Sequence, residues 1–310
     1  MAKANFTNVF KRQTDLPEKE ISVYDIYKKK SLSAEMLRRF KKNKLAVIST
    51  FIIIIMILVA LCADLLCNYE TKVIEQNYME RLQGPNLHHL LGTDTYGRDI
   101  LARIIHGSRL SLSIGFLIIF SSLVIGGFFG AISGFYGGLI DNVIMRITDV
   151  FLAVPPLLLA IAVVAVFGSD YVWLIAAMSI GWVPYFARVI RASILQIRNK
   201  EFIEAARAIG TSDFRIITKH ILPNISAPII VQASMGIAQA ILGVAGISFI
   251  GMGIQPPAPE WGTMLGEGES FLRTSPHIVI IPGMFIIIAT LAINLMGDGL
   301  RDALDPKLKD

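Results

Sequence analysis

Six stretches of this 310-residue chain contain no Asp, Glu, Lys or Arg, and their lengths decide what the chain can fold into. They cover residues 45–63, 110–140, 150–169, 171–187, 221–259 and 274–297, or 19, 31, 20, 17, 39 and 24 residues. A helix crossing roughly 30 Å of hydrocarbon needs about 20 apolar residues, with about 17 as the lower limit. Five windows meet that requirement and the fourth only just does. Spanning strands would alternate apolar and polar residues over about ten positions, whereas these windows are continuous. The expected fold class is an all-α integral membrane protein with six transmembrane helices. Composition agrees: 17% of the residues are charged, against about 25% in a soluble protein.

The charges that remain set an expected orientation. With the N-terminus in the cytosol and alternating crossings, 23 of the 29 Lys and Arg fall on the inner side and 6 on the outer. Lys28, Lys29, Lys30, Arg38, Arg39, Lys41, Lys42 and Lys44 precede the first window, whose flank usually dominates orientation. Both termini are therefore expected in the cytosol, with the chain in a plasma or inner membrane. The pI near 9.2 reflects that bias, and no nucleic-acid motif accompanies it. The first window starts too far from Met1 for a secretory signal and lacks a convincing small-residue cleavage site. Cys62 and Cys67, at its outer end, read as buried thiols acting as small apolar groups in preference to a disulfide.

Along the chain this gives a cytosolic segment 1–44, a first helix 45–66, an external segment 67–109, a five-helix core 110–297 and a cytosolic tail 298–310. Residues 31–44 suggest a basic amphipathic helix on the membrane surface, with Leu32, Met36, Leu37 and Phe40 toward lipid. In the external segment Gly92 and Gly97 suggest tight turns before a short helix at 100–106. Gly126, Gly130, Gly134 and Gly138 recur every fourth residue, the spacing that lets two helices approach closely in lipid. Pro155, Pro156 and Pro184 each remove a backbone donor and predict kinks. Gln232, Gly236, Gln239, Gly243 and Gly246 share one polar or small face, which suits a translocation path and plain helix packing equally.

A loop at 191–226 carries the strongest functional pattern. Residues 200–209 predict a helix with Phe202, Ala205, Ala206 and Ile209 on one face. Glu201 and Glu204 stand in its first turn, where the helix dipole favours acids, and Gly210 follows at the position of a left-handed helix end. Thr211 or Ser212 then caps a second helix with Phe214, Ile217 and Ile221 on its apolar face, ended by Pro223. A helix–glycine–helix elbow with a small-residue surface suits docking another protein.

Glu204-Ala205-Ala206, then Gly210 and Leu222-Pro223, resembles the EAA loop in the membrane subunits of binding-protein-dependent ABC importers. One departure is His220, where the usual pattern has Ile. The stretch from Leu91 to Asp99, with Gly-Thr-Asp and Gly-Arg-Asp, is similar to the external signature of the dipeptide, oligopeptide and nickel permease group. So are Asp141 with Met145-Arg146, Asp149 with Ala153-Val154-Pro155, Gly251 to Pro257 with Trp261-Gly262, and Gly297-Asp298-Gly299-Leu300-Arg301-Asp302. The resemblance implies that Glu204, Ala205, Ala206, Gly210, Leu222 and Pro223 form a coupling helix seated on a cytosolic ATPase. It also implies a second, similar permease subunit, two ATPases that use ATP and Mg, and an external substrate-binding protein. No cofactor is expected on this chain, which has no Gly-x-x-x-x-Gly-Lys-Ser/Thr phosphate loop.

No catalytic residue emerges: zinc-protease, nucleophile and aspartyl motifs are missing from the sequence. His88-His89 lacks neighbours that suggest a metal site. A secondary transporter is the other competitor, but it would place paired charges at mid-membrane. Here the charges keep to span ends, with Asp298, Arg301 and Asp302 read as an i, i+3, i+4 ion network. Peptides are the expected cargo, peptide carriers being the commonest members of the group, and nickel is the alternative.

Overall fold

The computed structural model describes residues 32–304, so the tail segments 1–31 and 305–310 lie outside the described residues. Among the described residues the chain is helical, with one isolated β-bridge between Thr93 and Asp99. Ten helices organise it: α1 Leu32–Lys42, α2 Lys44–Leu61, α3 Ile100–Tyr136, α4 Gly138–Leu152, α5 Pro156–Phe167, α6 Tyr171–Ile197, α7 Glu201–Ala208, α8 Leu222–Phe249, α9 Trp261–Gly268 and α10 His277–Leu304. Five helical stretches are long and apolar enough to cross a membrane, and a bent pair makes a sixth if it counts as one span.

That pair, α4 and α5, corrects the expected third span. The window 150–169 does not form one crossing helix; the chain turns by 80° between α4 and α5. Proline chemistry explains the break. The residue before a proline is pushed out of the helical region, and Pro155, preceding Pro156, takes φ −54° and ψ 131°. Pro156 then suits the first turn of α5, where no N–H is needed. Alone, α5 is 12 residues, about 18 Å, and too short to span. Single Pro184 behaves differently: α6 runs on through it.

The second span is longer than expected. No separate helix occupies 100–106, because α3 is continuous for 37 residues, about 55 Å. Asp99 starts it by accepting a bond from the Ala102 N–H at 2.8 Å. Gly92 and Gly97 do take positive φ, 82° and 78°, in the turn before it. At the first span, Asn43 caps α2 by accepting from the Ala46 N–H. Cys62 then ends α2, and it and Cys67 are free thiols that are half-buried instead of buried. α1 lies against the end of α10: a Cβ built on Gly299 would meet Phe40 Cε2 at 3.2 Å. Phe40 thus faces α10, while Leu37 stays exposed.

The most extensive helix contact joins α3 to α6, and glycines make it possible. A Cβ on Gly126 would stand 2.5 Å from the Val183 carbonyl oxygen, and one on Gly130 2.5 Å from that of Ala187. A Cβ on Gly134 would meet Arg191 Cα at 3.2 Å. Gly138 does not belong to this face: it follows the α3 end at Gly137, takes φ 59° and has open space around it. Because the Gly130 contact is backbone, no side chain can swing aside. Gly130→Leu is expected to cost about 1–3 kcal/mol through overpacking, read as a lower yield of intact complex from solubilised membranes. Gly84→Leu, with nothing within 4 Å of its Cβ position, is the matched control. Equal yields would mean the glycine face is not a packing seam.

Candidate coupling elbow, polar cavity and external ion cluster

The elbow is built by α7. Gly210 has φ 77°, and the two bonds that close a left-handed helix end are both present. Its own N–H reaches Arg207 O at 2.9 Å, and the Thr211 N–H reaches Ala206 O at 3.1 Å, satisfying two otherwise orphaned carbonyls. No atom lies within 4 Å of a Cβ at Gly210, so backbone conformation alone demands glycine there.

The face of α7 that turns inward is the one carrying Ile203 and Ala206. Ile203 is 0% exposed and Ala206 5%, both packed in a cluster with Ile194, Ile197, Ile216 and Ile221. Phe202, Glu204 and Ala205 are exposed, and Ile209 and Phe214 stand 82% and 77% open. The periodicity was satisfied by two overlapping stripes, and the isoleucine side wins the bundle. Of the expected ATPase-facing residues, Glu204, Ala205, Gly210 and Pro223 lie on the surface, Leu222 is half-buried and Ala206 is buried.

Pro223 does not end the second elbow helix. Residues 213–249 run as one stretch: Asp213–Arg215 is α-helical, Ile216–Ile221 is a π-turn, and α8 follows. Pro223 falls in the first turn of α8, where its missing N–H costs least. The widened π-turn just before it absorbs the change of bonding pattern.

Ion pairs hold α4 against this end of the bundle. Arg191 donates to both oxygens of Asp141, at 2.5 and 2.6 Å, Ser133 donates to the same carboxylate, and Arg188 meets Asp149 at 2.5 Å. Arg207 sits over the Phe135 ring at 5.1 Å, tying the elbow to the end of α3.

Beside the elbow end a cavity of about 490 Å³ opens between α5, α6, α8 and α10. Gln232, Gly236 and Gln239 line it, joined by Trp182, Tyr185 and Arg301. The Tyr185 hydroxyl donates to Gln232 Oε1 at 2.5 Å. Gly243 and Gly246 lie outside it; a Cβ on Gly243 would stand 2.7 Å from Met178 Cε. The expected polar face is thus split between a cavity and a packing contact. Trp182, Tyr185 and Arg301 had no sequence signal linking them to it, since they come from other helices.

On the opposite end the segment 67–99 closes on α9. Arg98 Nε donates to Asp94 Oδ2 at 2.6 Å, and its Nη2 to both Glu267 oxygens at 2.9 and 3.0 Å. Arg103 Nη1 bonds Asp94 Oδ2 at 2.6 Å and Glu267 Oε2 at 2.7 Å. Burial works to lower the Arg98 pKa, and the carboxylates of Asp94 and Glu267 outweigh it, so the guanidinium is held above its ordinary value. Asp94 and Glu267 therefore share one side of the protein. Glu260, also buried, caps α9 at the Thr263 N–H and accepts from Ser111 Oγ at 3.1 Å. The Gly-Thr-Asp and Gly-Arg-Asp motifs marked this region in sequence, but not Glu267 as their partner. Among the described residues no group of His, Cys, Asp and Glu is placed to hold a metal ion.

The helical spans and the bent pair define a polytopic membrane-protein architecture. Residues 126–310 match the family described as binding-protein-dependent transport system inner membrane component, and residues 31–85 match the N-terminal transmembrane domain of oligopeptide transport permease C. The dipeptide transport system permease protein DppC of Alkalihalophilus pseudofirmus is 47% identical over 275 residues, covering 89% of this chain and 90% of that one. The glutathione transport system permease protein GsiD of Pectobacterium atrosepticum is 43% identical over 278 residues, covering 89% and 91%. The inward-facing MetNI methionine ABC transporter has the same fold, with a TM-score of 0.54 at 19% identity over 66% of this chain and 98% of that one. The chain belongs to the binding-protein-dependent transport system inner membrane component family.

Proposed function

We propose that this chain forms half of the translocation pathway of an ATP-driven peptide importer, paired with a second, similar permease subunit. Two cytosolic ATPases supply ATP hydrolysis with Mg, and an external binding protein delivers the cargo. The observation that carries the reading is the elbow. Its inner face is seated on the bundle, while Glu204, Ala205, Ile209 and Phe214 stand outward. Among the described residues the Glu204 side chain has no hydrogen bond or ion pair. A surface that mixes exposed apolar side chains with small and charged ones suits a protein partner. Peptides are supported as cargo by the relatives, which are named for dipeptide and glutathione transport. Uptake of labelled dipeptides, glutathione and nickel in cells lacking only this gene tests the reading. Loss of peptide uptake with nickel uptake intact is expected, and the opposite pattern would defeat it.

Both termini and the elbow are assigned to the cytosol, on the basic-residue bias. In a background with Cys62 and Cys67 replaced by serine, Met79→Cys and Leu87→Cys are expected to react with an impermeant thiol reagent in intact cells. Both positions are highly exposed. Ile209→Cys should be protected until the cells are opened. The reverse labelling would invert the topology.

A further inference from the structure

One charged side chain faces the cavity, and it is a cation. Arg301 lines it with Gln232, Gln239, Tyr185 and Trp182, and no Asp, Glu or His is among the described residues that do so. Helix geometry accounts for the placement. Gly297 lies close to α8, a Cβ there standing 2.8 Å from Ser234 Oγ and 3.2 Å from Met235 Cγ. Arg301 follows one turn later on the same side of α10, and Met235 itself lines the cavity.

The sequence pattern gave this charge two neighbours to neutralise it, Asp298 and Asp302. Neither does so. Among the described residues the Arg301 side chain makes no ion pair or hydrogen bond, while Asp302 instead accepts from Asn43 Nδ2 at 3.5 Å. A guanidinium stays charged and presents five donors in a planar fork that matches a carboxylate. The other polar groups are neutral. Gln232 has its oxygen engaged by Tyr185, which leaves its NH2 group for a carbonyl, and Gln239 is exposed. Trp182 and Tyr185 add aromatic surface, their rings 5.6 Å apart and perpendicular.

We infer that Arg301 is a specificity-determining residue of the pathway, receiving a carboxylate of the passing solute at the elbow end of the cavity. The transported class is then carboxylate-bearing. A single, solvent-accessible contact also fits transport, which needs binding strong enough to admit a solute and weak enough to release it. The inference rests on the proposed permease function.

The test compares trialanine with a free C-terminal carboxylate and trialanine with a C-terminal amide, in cells carrying the full set of transport subunits, with nickel uptake measured alongside. In Arg301→Glu, uptake of the free-acid peptide should fall roughly ten-fold more than that of the amide, the scale of one charge-assisted contact. Arg301→Lys should keep the wild-type ratio and Arg301→Gln should lose the preference without reversing it. Permease amounts in the membrane normalise each value, and Arg301→Gln carries the comparison if Arg301→Glu fails to accumulate. Equal falls for both peptides would overturn the inference and leave peptide import standing. Wild-type cells that import nickel and neither peptide would overturn both.

Discussion

Gly210→Val and Glu204→Lys are each expected to abolish substrate uptake while the chain still accumulates in the membrane. At Gly210 the cause is conformational. The residue sits at φ 77°, a region that glycine occupies freely and a β-branched residue scarcely at all. Nothing surrounds a Cβ there, so the strain, about 1–3 kcal/mol, finds no steric reason to unfold the bundle. It is relieved by opening the two closing bonds from Gly210 and Thr211, which changes the angle at which α7 leaves the elbow. At Glu204 the cause is electrostatic: the side chain is exposed, and reversing its charge mispairs whatever ATPase group meets it. Lys200→Ala, at the N-cap with no side-chain cap bond, should be nearly silent. Substrate uptake and substrate-stimulated ATP hydrolysis of the reconstituted complex are the measurements. Wild-type uptake by both variants at equal expression would remove α7 from coupling.

Glu267→Gln should destabilise the end of the bundle opposite the elbow by about 3–5 kcal/mol, the cost of removing one partner from a buried ion pair. Arg98 and Arg103 are each 1% exposed at the side chain, Asp94 3% and Glu267 10%. Two cations and two anions balance there, so the neutral amide leaves a buried excess positive charge. The residues come from the segment 67–99, the start of α3 and α9, so the cluster fastens three elements together. Arg103 already has Nε and Nη2 without hydrogen-bond partners, which makes it the member whose loss costs least. Glu267→Gln with Arg103→Met should therefore recover part of the stability, because charge balance returns. Thermal unfolding of the purified complex in detergent reads both. An unchanged midpoint for Glu267→Gln would show that the cluster does not hold this end together.

The spans were legible because hydrocarbon imposes a length and forbids charge, and both are properties of a contiguous window. The glycine face on α3 was legible for the same kind of reason: spacing within one helix fixes which residues share a side. Gly138 fell off that face because Gly137 ends the helix first, a local event that the four-residue spacing does not encode. The elbow lay between these cases. Gly210 and its helix were readable from local preferences, yet Phe202 and Ile203 are adjacent apolar residues, and only packing against Ile194, Ile216 and Ile221 decided which one turned inward.

By itself the sequence determined the number of apolar stretches, the start of α7, its left-handed end at Gly210 and the small-residue seam of α3. Each follows from backbone conformation or from the solvent that surrounds a continuous segment. Tertiary structure alone decided the size of the break at Pro155 and Pro156, an 80° turn, though the prolines themselves placed it. It alone joined Glu267 to Arg98 and Arg103, 169 and 164 residues away along the chain. It also turned Arg301 away from its neighbouring aspartates and into a cavity with Gln232. Side-chain partners across helices are chosen by distance and burial in three dimensions, and no periodicity within one helix carries that information.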